Sequence, residues 1–273
     1  MRSVNYTPEF KEVIQLATEK KLFIGSGNPN SKILIIGKEA AIDIEKSADQ
    51  HEREFLKNCI DWDYNHSTNK QFTDVESWFI ENKYNPLYSY KGQKNKIRRV
   101  NKENKAISGD GGTSKTWYNY QRIIDKIYFN DVQNLIINFH EYSFSSELSQ
   151  ETGSYSRDIP KNKRAESIGL RKELFTTPFF RKFPITIVAV GHYVRDFDID
   201  LQNLFEIKFN NEHSEKLSEG LNREYINIHY DNPEKPTRLL IHTNQLSMVS
   251  NELINRLSRI CRDFESNLSL FSN

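Results

Sequence analysis

Cysteine is nearly missing from this chain: Cys59 and Cys261 are the two among 273 residues. Two thiols cannot build a disulfide framework or a four-thiolate metal site. Long apolar runs are missing as well. No stretch approaches the roughly 20 residues of a membrane span, and residues 1–10 lack the apolar core of a signal peptide. The chain therefore reads as soluble, cytoplasmic and monomeric, with no membrane contact expected. Internal repeats and linkers rich in Gly, Ser or Pro are absent, so one domain is expected over residues 1–273. An excess of either charge is missing too: 38 Lys plus Arg face 37 Asp plus Glu, a net charge of +1. At first that balance argues against a nucleic-acid partner. Hydrophobic residues make up 37% of the chain, below ordinary globular usage. Periodic apolar runs nevertheless recur along its whole length, which excludes global disorder.

Four short β-rich runs have the pattern of strands buried on both faces: residues 32–37, 132–138, 185–191 and 238–242. Helical periodicity alternates with them at residues 8–20, 116–129, 164–177 and 248–268. The second helix carries Trp117, Tyr120, Ile123, Ile124 and Ile127 on one stripe, with Thr113 or Ser114 as its cap. Ser247 or Ser250 would cap the last. Alternating strands and helices predict an α/β fold, a central four-stranded mainly parallel sheet with helices on both faces. Residues 205–209 and 224–230 are candidates for minor strands, and a long insertion is expected at about residues 60–112.

Ligands bind such sheets beyond the carboxyl ends of the strands. After the first strand comes Gly37-Lys38-Glu39-Ala40-Ala41, and the second runs into Asn138-Phe139-His140-Glu141. The third is followed by Gly191-His192-Tyr193, and the fourth ends in His242-Thr243-Asn244-Gln245-Leu246-Ser247. A carboxylate, an amide and an imidazole are thus expected on one edge. His140 and His192, as lone histidines, are expected to satisfy backbone groups.

This order of motifs resembles the uracil-DNA glycosylase superfamily over about residues 30–265. That family's first motif is a Gly-led carboxylate loop, similar to the Gly37–Glu39 segment, although its usual following Pro is Ala40 here. The run ending in Leu-Ile-Ile-Asn138 resembles its Leu-Leu-Leu-Asn strand, and 187–191 resembles its third strand. The segment from His242 to Ser247 matches its His-Pro-Ser-Pro-Leu-Ser loop at His, Leu and Ser, with Thr243-Asn244 replacing Pro-Ser. The iron–sulfur branches need four cysteines and are excluded.

The resemblance implies a cofactor-independent base-excision hydrolase acting on a flipped deoxynucleotide in single- or double-stranded DNA. Glu39 would stabilise the oxocarbenium-like sugar and His242 the leaving base. Asn138 would read the base edge, with Leu246 as wedge and Asn244 and Ser247 beside it on DNA. Tyr88, Tyr90 and Phe72 are candidates for stacking. Two other classes stay open: a nucleic-acid-binding protein of this fold without catalysis, and a hydrolase acting on a free nucleobase or nucleoside.

The near-zero net charge averages over opposite territories. Residues 91–105 hold seven basic side chains, Lys94, Arg98 and Arg99 among them, and one acid. Residues 157–172 hold six, including Lys163 and Arg164, and two acids. Both runs leave the carboxyl ends of expected strands and are candidate DNA contacts. Residues 109–116 fall one residue short of a phosphate-binding P-loop and follow no strand. Gly25-Ser26-Gly27 precedes its strand instead of following it. The histidines show no zinc-ligand spacing, so no metal is expected.

Overall fold

Ile33, Leu34, Ile35 and Ile36 are all buried, which a strand achieves only when both faces of its sheet are covered. In the computed structural model, which describes residues 3–78, 80, 84–96, 113–218 and 223–271, these residues sit near the middle of a mixed sheet. Its strands are β1 (Ser26–Gly27), β2 (Ile33–Gly37), β3 (Ser143–Glu147), β4 (Ile185–Val188), β5 (Lys208–Lys216), β6 (Tyr225–Tyr230) and β7 (Leu239–Thr243). Their spatial order is β1-β3-β2-β4-β7-β6-β5. The neighbours β3, β2, β4 and β7 run parallel. At one edge β1 lies antiparallel to β3, and at the other β6 and β5 add antiparallel strands. The molecule is therefore α/β, as expected, but its sheet is larger and more mixed than four mainly parallel strands. The antiparallel additions pair β6, with β5 beyond it, onto β7, an edge that four strands would have left bare.

The helices are α1 (Pro8–Lys20), α2 (Ala48–His51), α3 (Asn58–Ser67), α4 (Lys115–Tyr128), α5 (Lys161–Phe175), α6 (Pro178–Arg181), α7 (Tyr193–Asp196), α8 (Leu201–Phe205) and α9 (Asn251–Phe271). Side chains alternate across a strand, so Leu34 and Ile36 join one core while Ile33 and Ile35 join the other. The first core takes Phe10, Val13 and Ile14 of α1, Trp62 of α3, and a ring cluster from α5 and α6. The second takes Ile123, Ile124 and Ile127 of α4 and Leu253, Ile254 and Leu257 of α9. Ser114 caps α4, accepting from the Trp117 amide at 3.2 Å, and Ser250 accepts from the Leu253 amide at 3.1 Å. Among the described residues, no helix is long and apolar enough to cross a membrane.

One expected strand is not there. Residues 132–138 leave α4 as an irregular segment in which Val132 is 68% and Leu135 87% exposed. Asn138 then opens a short 3-10 turn over Phe139–Glu141. The parallel strand beside β2 begins at Ser143, where Phe144 is the one large apolar residue. Its serines are satisfied by chain far away in sequence: Ser146 Oγ donates to the Ile24 carbonyl at 2.7 Å and Ser145 Oγ to the Ser26 carbonyl at 3.1 Å. Gly25 and Gly27, at φ +139° and +103°, let β1 lie against β3, because a Cβ at either would meet a β3 carbonyl at 2.3 Å.

Candidate active site at the carboxyl edge of the sheet

The paired register puts Gly37 opposite Glu147, so the ends of β2 and β3 meet. A Cβ on residue 37 would lie 2.3 Å from Glu147 Oε2; glycine leaves the room in which the Glu147 carboxyl sits. Two residues on, Glu39 Oε1 accepts hydrogen bonds from Tyr193 Oη at 2.9 Å and from Ser156 Oγ. Tyr193 in turn takes a bond from Arg164 Nη1 and lies under the Lys38 ammonium, 4.5 Å from ring centre to nitrogen. Glu39 therefore stands in a cationic shell. Its Oε2 and that of Glu147 are both buried without a hydrogen-bond partner.

Burial, with Glu39 nearby, pushes the Glu147 carboxyl up to about 8, and Arg171 opposes the shift. Arg171 is fully buried, but its nearer partners are the carbonyls of Glu147 and Phe23 and the Ser146 hydroxyl. Glu147 is thus a proton-bearing acid at neutral pH beside a carboxylate that accepts two hydrogen bonds. A carboxyl kept protonated by burial is suited to the role of a general acid.

Both carboxyls line one cavity of about 360 Å³. Phe23, Phe55, Tyr84, Tyr90, Trp117 and Tyr120 form its aromatic walls. Tyr90 and Trp117 pack against each other at a tilt of 56°, with ring centres 4.7 Å apart. Beside Tyr90, the π-helical turn Glu52–Leu56 brings in Glu54, which accepts from Tyr90 Oη and from Gln50 Nε2 at 3.3 Å. Burial raises the Glu54 carboxyl as well. Ser145, Ser146, Thr113 and Gln245 are among its other polar lining residues, with Lys38 and Gln93. A cavity of this size with aromatic walls and a few convergent polar groups suits a small ring compound. Among the described residues, no group of three or more His, Cys, Asp or Glu is placed to hold a metal ion.

The residues singled out in the sequence divide among several environments. Glu39 and Tyr90 line this cavity. Asn138 does not: it precedes β3 instead of ending it. Its Oδ1 accepts from Gln121 Nε2 at 2.7 Å, and its amide donates to Gln121 Oε1 at 2.8 Å. Tyr88 is buried, giving its hydroxyl to the Ile137 carbonyl at 3.0 Å, and Phe72 packs edge-on against it in the core. His242 is the penultimate residue of β7 but lines a second cavity of about 590 Å³. Its Nε2 lies 2.9 Å from the Gly191 carbonyl and 3.1 Å from Tyr225 Oη, and burial pulls its pKa down to about 4. From that loop it is Gln245 that reaches the Glu39 cavity.

Leu246 is fully buried in the α4–α9 core, so no side chain is offered there as a wedge. Asn244 braces β6, accepting from the Tyr225 amide at 3.0 Å and donating to the Arg223 carbonyl at 2.9 Å. Ser247 is half-buried, and Lys94 is exposed in a bridge to Ile136. Lys163 is exposed on the first turn of α5, and Arg164 belongs to the Glu39 shell. Arg98, Arg99 and the glycines at 109, 111 and 112 lie outside the described residues. His140 is buried between Phe139 and Trp117 with neither ring nitrogen hydrogen-bonded, and burial lowers its pKa to about 3.

Glu147, Glu54, Tyr193 and Gln245 were missed. Glu147 followed from no apolar signal, because Ser-Phe-Ser-Ser-Glu carries a single large hydrophobe. No protein-family model matches the chain, and no curated protein matches it.

Proposed function

We propose that the chain is an N-glycosyl hydrolase of the uracil-DNA glycosylase type, releasing uracil or a related damaged base from DNA. The observation that carries this reading is the Glu39–Glu147 pair at the carboxyl ends of β2 and β3, in a cavity walled by aromatic rings. Breaking an N-glycosidic bond builds positive charge on the sugar and negative charge on the base. Glu39, as a carboxylate, stabilises the sugar cation and orients the attacking water. Glu147, protonated at neutral pH, donates to the departing base, the part the sequence had assigned to His242. Tyr90 and Trp117 hold the flipped ring, and Gln245 offers an amide to its edge in place of Asn138.

The nucleic-acid part of the reading is supported by α5. Its first turn holds no acid and carries Lys161, Lys163 and Arg164, although cations at a helix N-terminus oppose the helix dipole. An anion bound there would relieve that conflict. This turn follows Arg157 and Ser156, and Ser156 is hydrogen-bonded to Glu39. The size of the cavity, about 360 Å³, equally favours a second reading, hydrolysis of a free nucleoside.

Chromatographic assay of base release from uracil-containing single- and double-stranded oligonucleotides, with uridine and deoxyuridine in parallel, tests both. We expect release from an oligonucleotide, lowered about 10²–10⁴-fold in Glu39→Gln and in Glu147→Gln. Release from nucleosides alone selects the second reading. Release from neither substrate class, at enzyme in excess, rejects both.

A further inference from the structure

The larger cavity, about 590 Å³, lies apart from the Glu39–Glu147 pair, between the α7–α8 segment and strands β5, β6 and β7. Its charged lining is one-sided. Arg195, Lys216 and Arg223 face a single acid, Asp200, whose Oδ1 already caps α8 by accepting from the Asn203 amide at 3.0 Å. Arg195 is engaged by Asp196 through Nε and Nη2 at the exposed surface, where such a pair holds weakly. Two imidazoles form the floor. His229 is 6% and His242 8% exposed, and His229 Nδ1 is buried without a hydrogen-bond partner.

The remaining wall is apolar and partly aromatic. Phe209 is 46% exposed and sits edge-on to His229, with ring centres 5.3 Å apart. Val194, Ile199 and Leu201 back it. A lone inorganic anion would leave this wall bare, and an apolar ligand would leave the cationic side, Lys216 and Arg223 above all, without a counter-charge. A ring joined to a phosphate satisfies both.

We propose that this cavity is a second ligand site, for a nucleoside monophosphate. The phosphate lies among Arg195, Arg223 and Lys216, and the base stacks on Phe209, whose ring meets His229. The same chemistry arrives either as a free nucleotide or as the phosphorylated end of a nucleic-acid strand.

Titration calorimetry on the full chain tests the site, with uridine monophosphate, adenosine monophosphate, ribose 5-phosphate and uridine as probes. We expect both monophosphates to bind more tightly than uridine by at least tenfold. Arg195→Gln/Arg223→Gln should lose at least tenfold in monophosphate affinity, while Glu39→Gln, altered in the other cavity, keeps it. Phe209→Ala should weaken the monophosphates and spare ribose 5-phosphate. Imidazole resonances of His229 in the unmodified protein give a readout that does not depend on how the variants fold, and uridine monophosphate should shift them. No monophosphate binding at millimolar concentration, or an unaffected double variant, would each overturn the site. A 5′-phosphorylated oligothymidylate binding more tightly than the mononucleotide would identify a strand end as the source, and equal affinity a free nucleotide.

Discussion

A protonated carboxyl shut in beside a second carboxylate ties function to pH. Glu147 has a folded-state pKa of about 8, above the ordinary 4.5 of an unfolded glutamate. Below about pH 4.5 it is protonated in both states and costs the fold nothing. Between the two values unfolding releases its proton, so stability is lost as pH rises through the folded pKa, by on the order of a few kcal/mol. Glu147→Gln removes that dependence. We expect the variant to melt several degrees above the unmodified protein at pH 8.5 and to converge with it near pH 4. Thermal melts across that range check this, and parallel curves would mean that Glu147 is ionised in the fold. The same substitution removes the proposed acid, so activity and stability should move in opposite directions. His242 behaves differently: buried and neutral, it bridges the Gly191 carbonyl and Tyr225 and serves the second cavity.

Elements were legible where one face is continuously apolar. The stripe of Trp117, Tyr120, Ile123, Ile124 and Ile127 locates α4 to within a residue or two, and the runs at 32–37, 185–191 and 238–242 mark β2, β4 and β7. The run at 132–138 has the same composition but lies outside the sheet, while β3 reads as polar. A strand next to the sheet's edge can carry serines when distant carbonyls accept from them, as those of Ile24 and Ser26 do. Leu246 marks the same limit at a loop, because its motif position suggests exposure and its environment is core. Leu246→Ala should therefore destabilise the protein by about 2–5 kcal/mol. Urea denaturation measures it, and a change near zero would return the side chain to the surface, as a wedge requires.

For the molecule as a whole, the charge balance hides local organisation. Arg157, Lys161 and Lys163 follow Ser156, which holds Glu39, closely in the chain, and on the proposed reading they would meet a phosphate backbone. Replacing all three by Gln should reduce the slope of log affinity against log salt for a uracil-containing oligonucleotide by about 2–3. An unchanged slope would remove this face from the nucleic-acid path.

Some features follow from the sequence by itself. Alternating apolar periods make the chain α/β, two cysteines exclude thiolate clusters and disulfide frameworks, and Gly37-Lys38-Glu39 puts a carboxylate just beyond a buried strand. Apolar patterning reports which faces leave water, and that much is local. The partner of Glu39 was decided only in the tertiary structure. β3 takes its place through hydrogen bonds to chain more than a hundred residues away, and Gly37 leaves space for the side chain that strand delivers. Which residue after β7 turns toward which cavity was settled the same way, by packing across the sheet that no local pattern encodes.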